Sequence, residues 1–341
     1  MENSNNDVIQ PKKIILTHFL SPGDVVMLTA AIRDLHHTYP GQFLTDIRSS
    51  CNAIWENNPY LTPLDENDPD VKVIPCDYPL IHRSNTSPYH FIHGFRMFLE
   101  EKLNIQIESK IFKGDIYISD QEKLWISQTE EMGIKDDFWI IMAGGKYDYT
   151  CKWYSPEFYQ TIVTHFKKKI TFVQCGSTEH WHPPLKGVVN LIGKTDLRQF
   201  IRLVYHSVGV LCPVTLAMHL AAAVPVKENR PQNRACVVIA GGREPTQWEA
   251  YPHHRFLSNN GALNCCDNGG CWASRCQKVN DGDEKDKNNL CLYPVRIKEN
   301  LFIPKCMHII KPRMIIDAIE MYYSGGALSY NKKSMNKGQN H

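Results

Sequence analysis

"FWIIMAGG", residues 138–145, joins an apolar run to two glycines, and this pattern predicts a buried strand that ends in a tight turn. In "SPEFYQTIVTHFKKK" (155–169), Ser155 as N-cap and Pro156 at the first helical position predict the start of a helix. The same alternation continues through "ITFVQCG", "DLRQFIRLVYHS", "VGVLCP", "TLAMHLAAAV" and "RACVVIAGG". Strands and helices that alternate in this way favour a doubly wound α/β unit with a parallel sheet.

The N-terminal part of the chain shows the same alternation. "KKIILTHFL" (12–20) is a β-rich apolar run, and "VVMLTAAIRDLHHTYP" (25–40) has helical spacing that ends at Pro40. Further predicted elements are the short strands "FLTDIRS", "VKVIPC" and "GDIYIS" and the helix "PYHFIHGFRMFLEEKLNI". We therefore predict two α/β domains, over residues 1–134 and 135–325, with a cleft between them and a polar tail over 326–341.

The composition narrows the class of protein. With 43% hydrophobic and 22% charged residues in 341, the chain is typical of a soluble globular protein. A formal net charge of +2 gives no general reason to expect nucleic acid or membrane surfaces as partners. No apolar run approaches the roughly 20 residues of a membrane helix, and the polar N-terminus "MENSNNDVIQPKK" lacks the apolar region of a secretory signal. We expect a cytoplasmic protein without a membrane span.

Cysteine is concentrated in one part of the chain. Six of the 12 cysteines lie between Cys265 and Cys306, four of them within "NCCDNGGCWASRC" (264–276). This segment, the cysteine finger (264–306), binds a metal ion, carries disulfides or holds incidental thiols. A reducing compartment favours metal binding over disulfides. A long polar segment also needs a cross-link, such as a bound metal ion, to stay ordered. Thiolates suit zinc and iron alike, and the segment lacks the acid–base pattern of a catalytic metal, which predicts a structural ion.

Three strand-to-helix junctions place polar residues where ligands of doubly wound sheets bind. In "FLSPGDVV", Asp24 is either an ordinary helix cap or a general base at the mouth of the cleft. In "GGKYDYTCKWYSPEF", Lys146 and Lys152 precede a helix whose N-terminus suits an anion, although a solvated basic loop explains them equally well. In "CPVTLAMHLAAAVPV", Thr215 and His219 share one helix face, but a lone histidine on such a helix is more often structural.

The order and spacing of these junctions over about 220 residues resemble glycosyltransferase family 9, the ADP-heptose heptosyltransferases. Gly23 and Asp24 match the "GD" after the first strand that supplies the catalytic aspartate of that family. Lys146, Lys152 and Trp153 match its basic segment after the interdomain strand. The resemblance implies the GT-B fold, in which two Rossmann-like domains face each other.

The family's donor segment, "D-T-G-x-x-H-L-A-A", is similar to residues 214–222 of this chain. Its threonine and histidine are kept as Thr215 and His219, whereas its Asp and Gly are replaced by Val214 and Leu216. The two replacements alter the part of the motif that contacts the diphosphate in the family.

The quoted "GGKYDYTCKWY" and "LCPVTLAMHLAAAV", with "HWHPPLKGVVNLIGKTDLRQFIRLVYHS" (180–207), look like one branch of the family, the bacterial autotransporter heptosyltransferases. These enzymes modify serines of adhesins and are known as ring-shaped oligomers with bound iron. The metal ligands that the resemblance implies are Cys266, Cys271, Cys291 and Cys306. Cys265 is an alternative first ligand, and Cys276 is left spare.

The resemblance implies inverting transfer of a heptose-type sugar from a nucleotide-diphosphate donor, ADP-heptose above all, to a hydroxyl of a protein or glycan. Asp24 would take the proton of the acceptor, and Lys152 would stabilise the leaving diphosphate. The implied donor-binding residues are Lys146, Thr215, Met218 through its backbone N–H, His219, Arg243 and Glu244. Arg243 and Glu244 lie in "GGREPTQWEAYPHHRF" (241–256), where a simple ion pair across a turn is the alternative. A homo-oligomer is also expected.

Two other functions fit the same residues. The changes at Val214 and Leu216 suit a non-catalytic module that has lost its donor site and uses the cysteine finger for assembly. An epimerase of GT-B type would keep the fold and change the reaction. The retained Asp24, Lys152 and His219 favour the transferase.

Overall fold

The computed structural model describes residues 10–76, 80–228 and 230–324, and the predicted tail over 326–341 lies outside the described residues. The N-terminal part contains a three-stranded parallel sheet in the order β2-β1-β3. Its strands are β1 (Lys12–His18), β2 (Phe43–Ser49) and β3 (Val71–Pro75). Its helices are α1 (Pro22–Thr38), α2 (Ile92–Leu103), α3 (Asp120–Lys123) and α4 (Gln128–Glu131), with 3-10 turns at Asn52–Ile54 and Ile81–Arg83.

The C-terminal part contains a six-stranded parallel sheet in the order β6-β5-β4-β7-β8-β9. Its strands are β4 (Phe138–Ile141), β5 (Thr171–Gln174), β6 (Val189–Asn190), β7 (Gly209–Pro213), β8 (Ala235–Gly241) and β9 (Arg255–Ser258). Helices α5 (Pro156–Phe166), α6 (Leu197–His206), α7 (Leu216–Ala223) and α8 (Thr246–Glu249) connect these strands. The predicted α/β class with parallel sheets is confirmed.

The end of the chain adds smaller elements to the second sheet. Strands β10 (Pro294–Lys298) and β11 (Leu301–Pro304) form an antiparallel hairpin after the short helix α9 (Lys285–Asn288). Helices α10 (Lys305–Ile309) and α11 (Pro312–Tyr323) follow, and α11 packs against α5 and β8. Two 3-10 segments matter for the site. The first is Tyr147–Lys152, which we name the lysine loop, and the second is Asn264–Cys266 at the start of the cysteine finger.

The predicted strand "GDIYIS" (114–119) is wrong, because this segment has no strand pairing. Its backbone bonds go to side chains instead: the Asp115 N–H donates to Thr29 Oγ1 of α1 at 2.7 Å, and the Tyr117 carbonyl accepts from Arg198 at 2.8 Å. The segment also passes close to both parts of the chain, since a Cβ at Gly114 would lie 2.5 Å from Val26 Cγ1 and 3.3 Å from the Cβ of Ala223. Close passage between α1 and α7 replaces the predicted sheet contact.

The position of the two sheets is set by a shared core. One buried apolar cluster includes β1, α1 and α2 together with α6, α7 and one face of the second sheet. A second cluster covers the other face of that sheet with α5 and α11. Because α1 packs directly on α7, the carboxyl end of β1 lies over the N-terminus of α7. Among residues 10–76, 80–228 and 230–324, no helix combines the length and apolar character that crossing a membrane requires.

Candidate active site

Asp24 lies in the first turn of α1, immediately after the chain leaves β1. Its carboxylate accepts a hydrogen bond from the Ser21 backbone N–H at 3.1 Å, so the ordinary capping role is present. The side chain is half-buried. Burial is the main cause of a raised pKa at Glu249, which follows β8, and the negative charge of Asp24 adds to it. Asp24 therefore lies within electrostatic reach of groups from the second sheet.

Gly23 brings the start of α1 against α7. A Cβ atom at this position would lie 3.0 Å from Cδ2 and 3.4 Å from Nε2 of His219. A larger residue would push the imidazole aside, so glycine allows this close approach. The two sheets consequently present Asp24 and His219 to the same region.

Lys152, Glu244 and Arg243 form a buried ion-pair network at the carboxyl ends of β4 and β8. The Lys152 ammonium lies 2.8 Å from Glu244 Oε1 and donates to the Val214 carbonyl at 3.1 Å. Arg243 pairs with the same Glu244 oxygen and donates from Nε to the Ala273 carbonyl at 2.7 Å. Burial alone would raise the pKa of Glu244, but the charges of Arg243 and Lys152 outweigh it and hold that pKa below its usual value.

His219 is buried between Glu249 and Tyr251. Its Nδ1 is hydrogen-bonded to the Tyr251 hydroxyl at 3.0 Å, and its Nε2 lies 3.6 Å from Glu249 Oε2. Desolvation, helped by the charges of His90 and Lys152, lowers the pKa of His219 to about 3. The imidazole is therefore neutral at physiological pH. Together with the ion-pair network, His219 and Glu249 complete what we call the polar cluster: Lys152, His219, Arg243, Glu244 and Glu249.

Glu249 is the titratable member of the polar cluster. Burial first, and then the charge of Glu244, raises its pKa to about 8, against the opposing charge of Lys152. Its Oε2 atom has no hydrogen-bond partner within 3.5 Å. At neutral pH this carboxyl is mostly protonated, so it can donate a hydrogen bond as well as accept one.

Glu249→Gln is expected to stabilise the protein at pH 9 relative to pH 5. Unfolded, the carboxyl has its ordinary pKa of 4.5, while folded it has a pKa of about 8. The contribution of Glu249 to the free energy of unfolding therefore falls as pH rises from 4.5 to 8 and stays lower above that range. A glutamine at this position makes no such pH-dependent contribution. The difference corresponds to at most about 5 kcal/mol at about 1.36 kcal/mol per pKa unit.

Urea unfolding of both proteins at pH 5, 7 and 9 measures this difference. The surface variant Glu101→Gln on α2 serves as the control and should leave the pH dependence nearly unchanged. Parallel curves for wild type and Glu249→Gln at all three pH values would show that Glu249 ionises without cost in the folded protein.

The remaining predicted donor residues lie around the polar cluster rather than in it. Thr215 caps α7, because its hydroxyl accepts from the Ala217 N–H at 3.1 Å. Met218 is fully buried, and its N–H donates to the Thr215 carbonyl at 3.1 Å, so this N–H turns into the helix. Lys146 is exposed one residue before the lysine loop. Its charge lowers the pKa of His180, after the larger effect of burial, which places Lys146 near that histidine.

The predicted metal ligands occupy one region of the structure. Burial raises the pKa of the Cys306 thiol to about 12, and Cys271, Cys291 and Cys266 are near enough to add to the rise. A tighter group of thiols shares only Cys291 with the four predicted ligands. It consists of Cys151, Cys276 and Cys291, whose sulfurs lie within 4.8 Å of one another. Cys265, the alternative first ligand, is partly exposed.

Three of these features were missed by the sequence analysis: Glu249, Tyr251 and Cys151. Glu249 lies five residues after the predicted Glu244, inside a segment already expected at the cleft. Cys151 directly precedes Lys152. Its distance of 125 residues from Cys276 gave no spacing pattern.

A separate cavity of about 610 Å³ lies beside the carboxyl end of β2. Its lining includes Phe19, Arg48, Trp55 and Glu56. Phe19 follows β1 and is 65% exposed. It belongs to the same connection that leads to Asp24, so the cavity lies on the N-terminal side of the candidate site.

The α/β fold of this chain is similar to that of solved glycosyltransferases of family 9. No protein-family model and no curated protein sequence matches the chain. The structure of a family 9 glycosyltransferase from Veillonella parvula DSM 2008 is similar with a TM-score of 0.62, covering 92% of this chain and 97% of that one at 14% identity. At this identity the match shows the fold.

A second similar structure is the iron-containing dodecameric glycosyltransferase TibC from enterotoxigenic E. coli H10407. It matches with a TM-score of 0.60 at 12% identity over 93% of this chain and 77% of that one. TibC in complex with ADP-D-beta-D-heptose matches with a TM-score of 0.59 over the same shares of the two chains. The predicted resemblance to family 9 is thus confirmed at the level of the fold.

Proposed function

We propose that this protein is an inverting glycosyltransferase that transfers a heptose-type sugar from a nucleotide-diphosphate donor to a hydroxyl acceptor. The observation that carries the proposal is the approach of Asp24, from the first sheet, to the polar cluster of the second sheet. A base on one side of a cleft and cationic groups on the other are what sugar transfer needs. The similar folds of a family 9 enzyme and of TibC with bound ADP-heptose support this reaction class.

Asp24 acts in this proposal as the general base. Its carboxylate is held in orientation by the Ser21 N–H and remains half-buried at the edge of the site. It removes the proton of the acceptor hydroxyl as the oxygen attacks the anomeric carbon from the face opposite the diphosphate, which inverts that centre.

The polar cluster receives the donor. The Lys152 side chain is 26% exposed, and its ammonium is already fixed by Glu244 and the Val214 carbonyl, so it offers a pre-positioned positive charge to the departing diphosphate. The N-terminus of α7 beside Thr215 adds its dipole. Arg243 holds Glu244 in place, and protonated Glu249 donates a hydrogen bond to a donor hydroxyl. Lys146 approaches the diphosphate from the exposed end of the lysine loop.

The acceptor enters from the N-terminal side. The cavity beside Phe19 and Arg48 has the size of a sugar or a short peptide segment and adjoins the connection that carries Asp24. We propose a protein serine or a glycan hydroxyl as the acceptor. We further propose a cytoplasmic enzyme with two facing domains, divided near residue 134, that assembles into a homo-oligomer, as TibC does.

A structural iron or zinc ion in the cysteine finger completes the proposal. The chemistry of the donors fits such an ion, because the thiols of Cys151, Cys276 and Cys291 are mutually close and thiolates are preferred ligands of both metals. When bound, the ion supplies a cross-link between chain segments and takes no part in the transfer. The set predicted from the resemblance, Cys266, Cys271, Cys291 and Cys306, shares Cys291 with this group.

Isothermal titration of the purified protein with ADP-heptose, ADP and UDP-glucose tests the proposed donor. We expect saturable binding of ADP-heptose and ADP, with slow release of ADP when water is the only acceptor. The anomeric configuration of the released sugar, read by NMR, tests inversion. Binding of none of the three nucleotides would favour the non-catalytic module, and conversion of ADP-heptose to an epimer would favour the epimerase.

A further inference from the structure

The thiols of Cys151, Cys276 and Cys291 have the spacing of a metal site. All three lie within 4.8 Å of one another, and the Cys151 and Cys276 sulfurs are 3.8 Å apart. In a tetrahedral site with metal–sulfur bonds of about 2.3 Å, neighbouring sulfurs are about 3.8 Å apart. A disulfide needs about 2.05 Å. The observed distance therefore matches ligation of a shared ion.

Backbone contacts hold these cysteines together independently of any ion. The Cys276 N–H donates to Thr150 Oγ1 at 2.8 Å, and the Cys151 N–H donates to the Ser274 carbonyl at 3.1 Å. The Cys291 N–H donates to the Arg275 carbonyl at 2.7 Å. The lysine loop and two parts of the cysteine finger are thus fastened to each other at the position of the thiols.

Arg275 reinforces the same junction from inside. Its guanidinium is fully buried and bonds Asp148 of the lysine loop at 3.0 Å, Asp281 at 2.7 Å and Asp286 at 2.6 Å. The neighbouring carboxylates of Asp148, Asp281 and Asp283 are occupied by this arginine and by Lys285, so the acidic group is not a cation site. The thiol group remains as the place where an ion fits.

Two of the other finger cysteines serve local packing. Cys266 Sγ donates to the Leu263 carbonyl at 3.4 Å, and a Cβ at Gly242 would lie 2.8 Å from that sulfur. Cys306 is buried against Gly241, at 3.1 Å from a Cβ built there. Cys271 packs partly buried against the cluster that contains Cys151 and Cys276, but its thiol lies outside the group within 4.8 Å.

We propose that Cys151, from outside the cysteine finger, binds a zinc or iron ion together with Cys276 and Cys291. The ion fastens the lysine loop to the finger, and it thereby fixes Lys152, the residue that follows Cys151. The effect on donor binding rests on the proposed function, whereas the ligand set does not.

Protection of individual thiols in the wild-type protein tests the ligand set without any substitution. The full chain is purified anaerobically, stripped with a chelator, and alkylated with or without added Zn²⁺ before peptide mass spectrometry. We expect Zn²⁺ to protect Cys151, Cys276 and Cys291 at least 10-fold and to leave the labelling rate of Cys306 unchanged. Protection of Cys306 and Cys266 without Cys151 would overturn the proposal, as would a Cys151–Cys276 disulfide in the protein as isolated.

Two variants extend the test to metal content and donor binding. Cys151→Ser should lose most of the metal bound by wild type, measured by inductively coupled plasma mass spectrometry, while the buried control Cys306→Ser retains it. Metal retained in Cys151→Ser but lost in Cys306→Ser would overturn the ligand set. Cys151→Ser should also weaken ADP binding about 10-fold. Metal loss with unchanged ADP affinity would refute the link between the ion and Lys152 but not the ligand set. An absence of ADP binding in the wild-type protein would refute the proposed function but not the ligand set.

Discussion

Asp24→Asn is expected to lower the rate of sugar transfer about 10³-fold while donor affinity stays within a factor of about two. Asparagine keeps an oxygen that can accept the Ser21 N–H bond, so the start of α1 is preserved. It cannot take a proton from the acceptor hydroxyl. In the proposed mechanism, donor binding belongs to Lys152 and α7 of the second sheet, and the substitution leaves these groups untouched. Single-turnover transfer and titration with ADP-heptose measure the two quantities separately.

Glu130→Gln is the matched control for Asp24→Asn. Glu130 occupies the same capping position in α4, where its carboxylate accepts from the Ser127 N–H at 2.9 Å. Its substitution removes an equivalent local charge away from the candidate site and should leave transfer unchanged. An equal loss in both variants would mean that Asp24 matters only as a helix cap. A collapse of donor binding in Asp24→Asn would place the aspartate in the donor site instead.

Much of the second sheet is predictable because parallel strands are buried on both faces. All residues of β4, Phe138–Ile141, and of β7, Gly209–Pro213, are buried, and such strands appear in sequence as continuous apolar runs. Helix starts were equally visible where a cap and a proline coincide, as at Ser155 and Pro156. Local chemistry fixes these elements, so their sequence alone identifies them.

Other elements depend on neighbours that the sequence does not display. "GDIYIS" has the residues of a strand, yet its backbone bonds to side chains such as Thr29 of α1, and Gly114 passes close to Val26 and Ala223. Strand β9 (Arg255–Ser258) is only partly buried and lacks an apolar run. Helix α11 is different, because the spacing of Ile315, Ile316 and Ile319 predicts a helix that the elements proposed from sequence did not include.

In the candidate site, too, some features can be predicted from the sequence and others depend on packing. Lys152 and His219 follow strands of one parallel sheet, whose carboxyl ends lie at one edge, so their proximity was predictable. Asp24 follows a strand of the other sheet, and its approach depends on the packing of α1 on α7. The raised pKa of Glu249 depends first on its burial and then on Glu244, and burial is decided by how α8 packs. The approach of Cys151 to Cys276 depends on how the cysteine finger folds back over the lysine loop. Neither is a property of a short motif.

Lys152→Ala is expected to lower kcat/KM for transfer about 10²-fold and to weaken ADP binding in parallel. Lys152 is the partly exposed cation of the polar cluster, with 26% of its side chain exposed, while Arg243 beside it is buried. Removing it leaves Glu244 paired with Arg243, so the fold retains its buried ion pair. A loss in both binding and turnover is the signature of a group that contacts the diphosphate in the ground state and in the transition state.

Lys285→Ala is the control, because Lys285 and Lys152 both lie over the ring of Tyr149, at 5.9 and 6.0 Å from its centroid. Lys285 is held by Asp283 at 2.6 Å within the cysteine finger, whereas Lys152 is held by Glu244 of the polar cluster. Removal of the Lys285 charge should alter neither kcat/KM for transfer nor the affinity for ADP.

Lys146→Ala separates the two predicted donor lysines. An exposed lysine contributes mainly long-range charge, so the effect of Lys146→Ala on ADP binding should vanish as salt screens that charge. If Lys146→Ala abolished binding in high salt and Lys152→Ala did not, the diphosphate would lie at the exposed end of the lysine loop, outside the polar cluster.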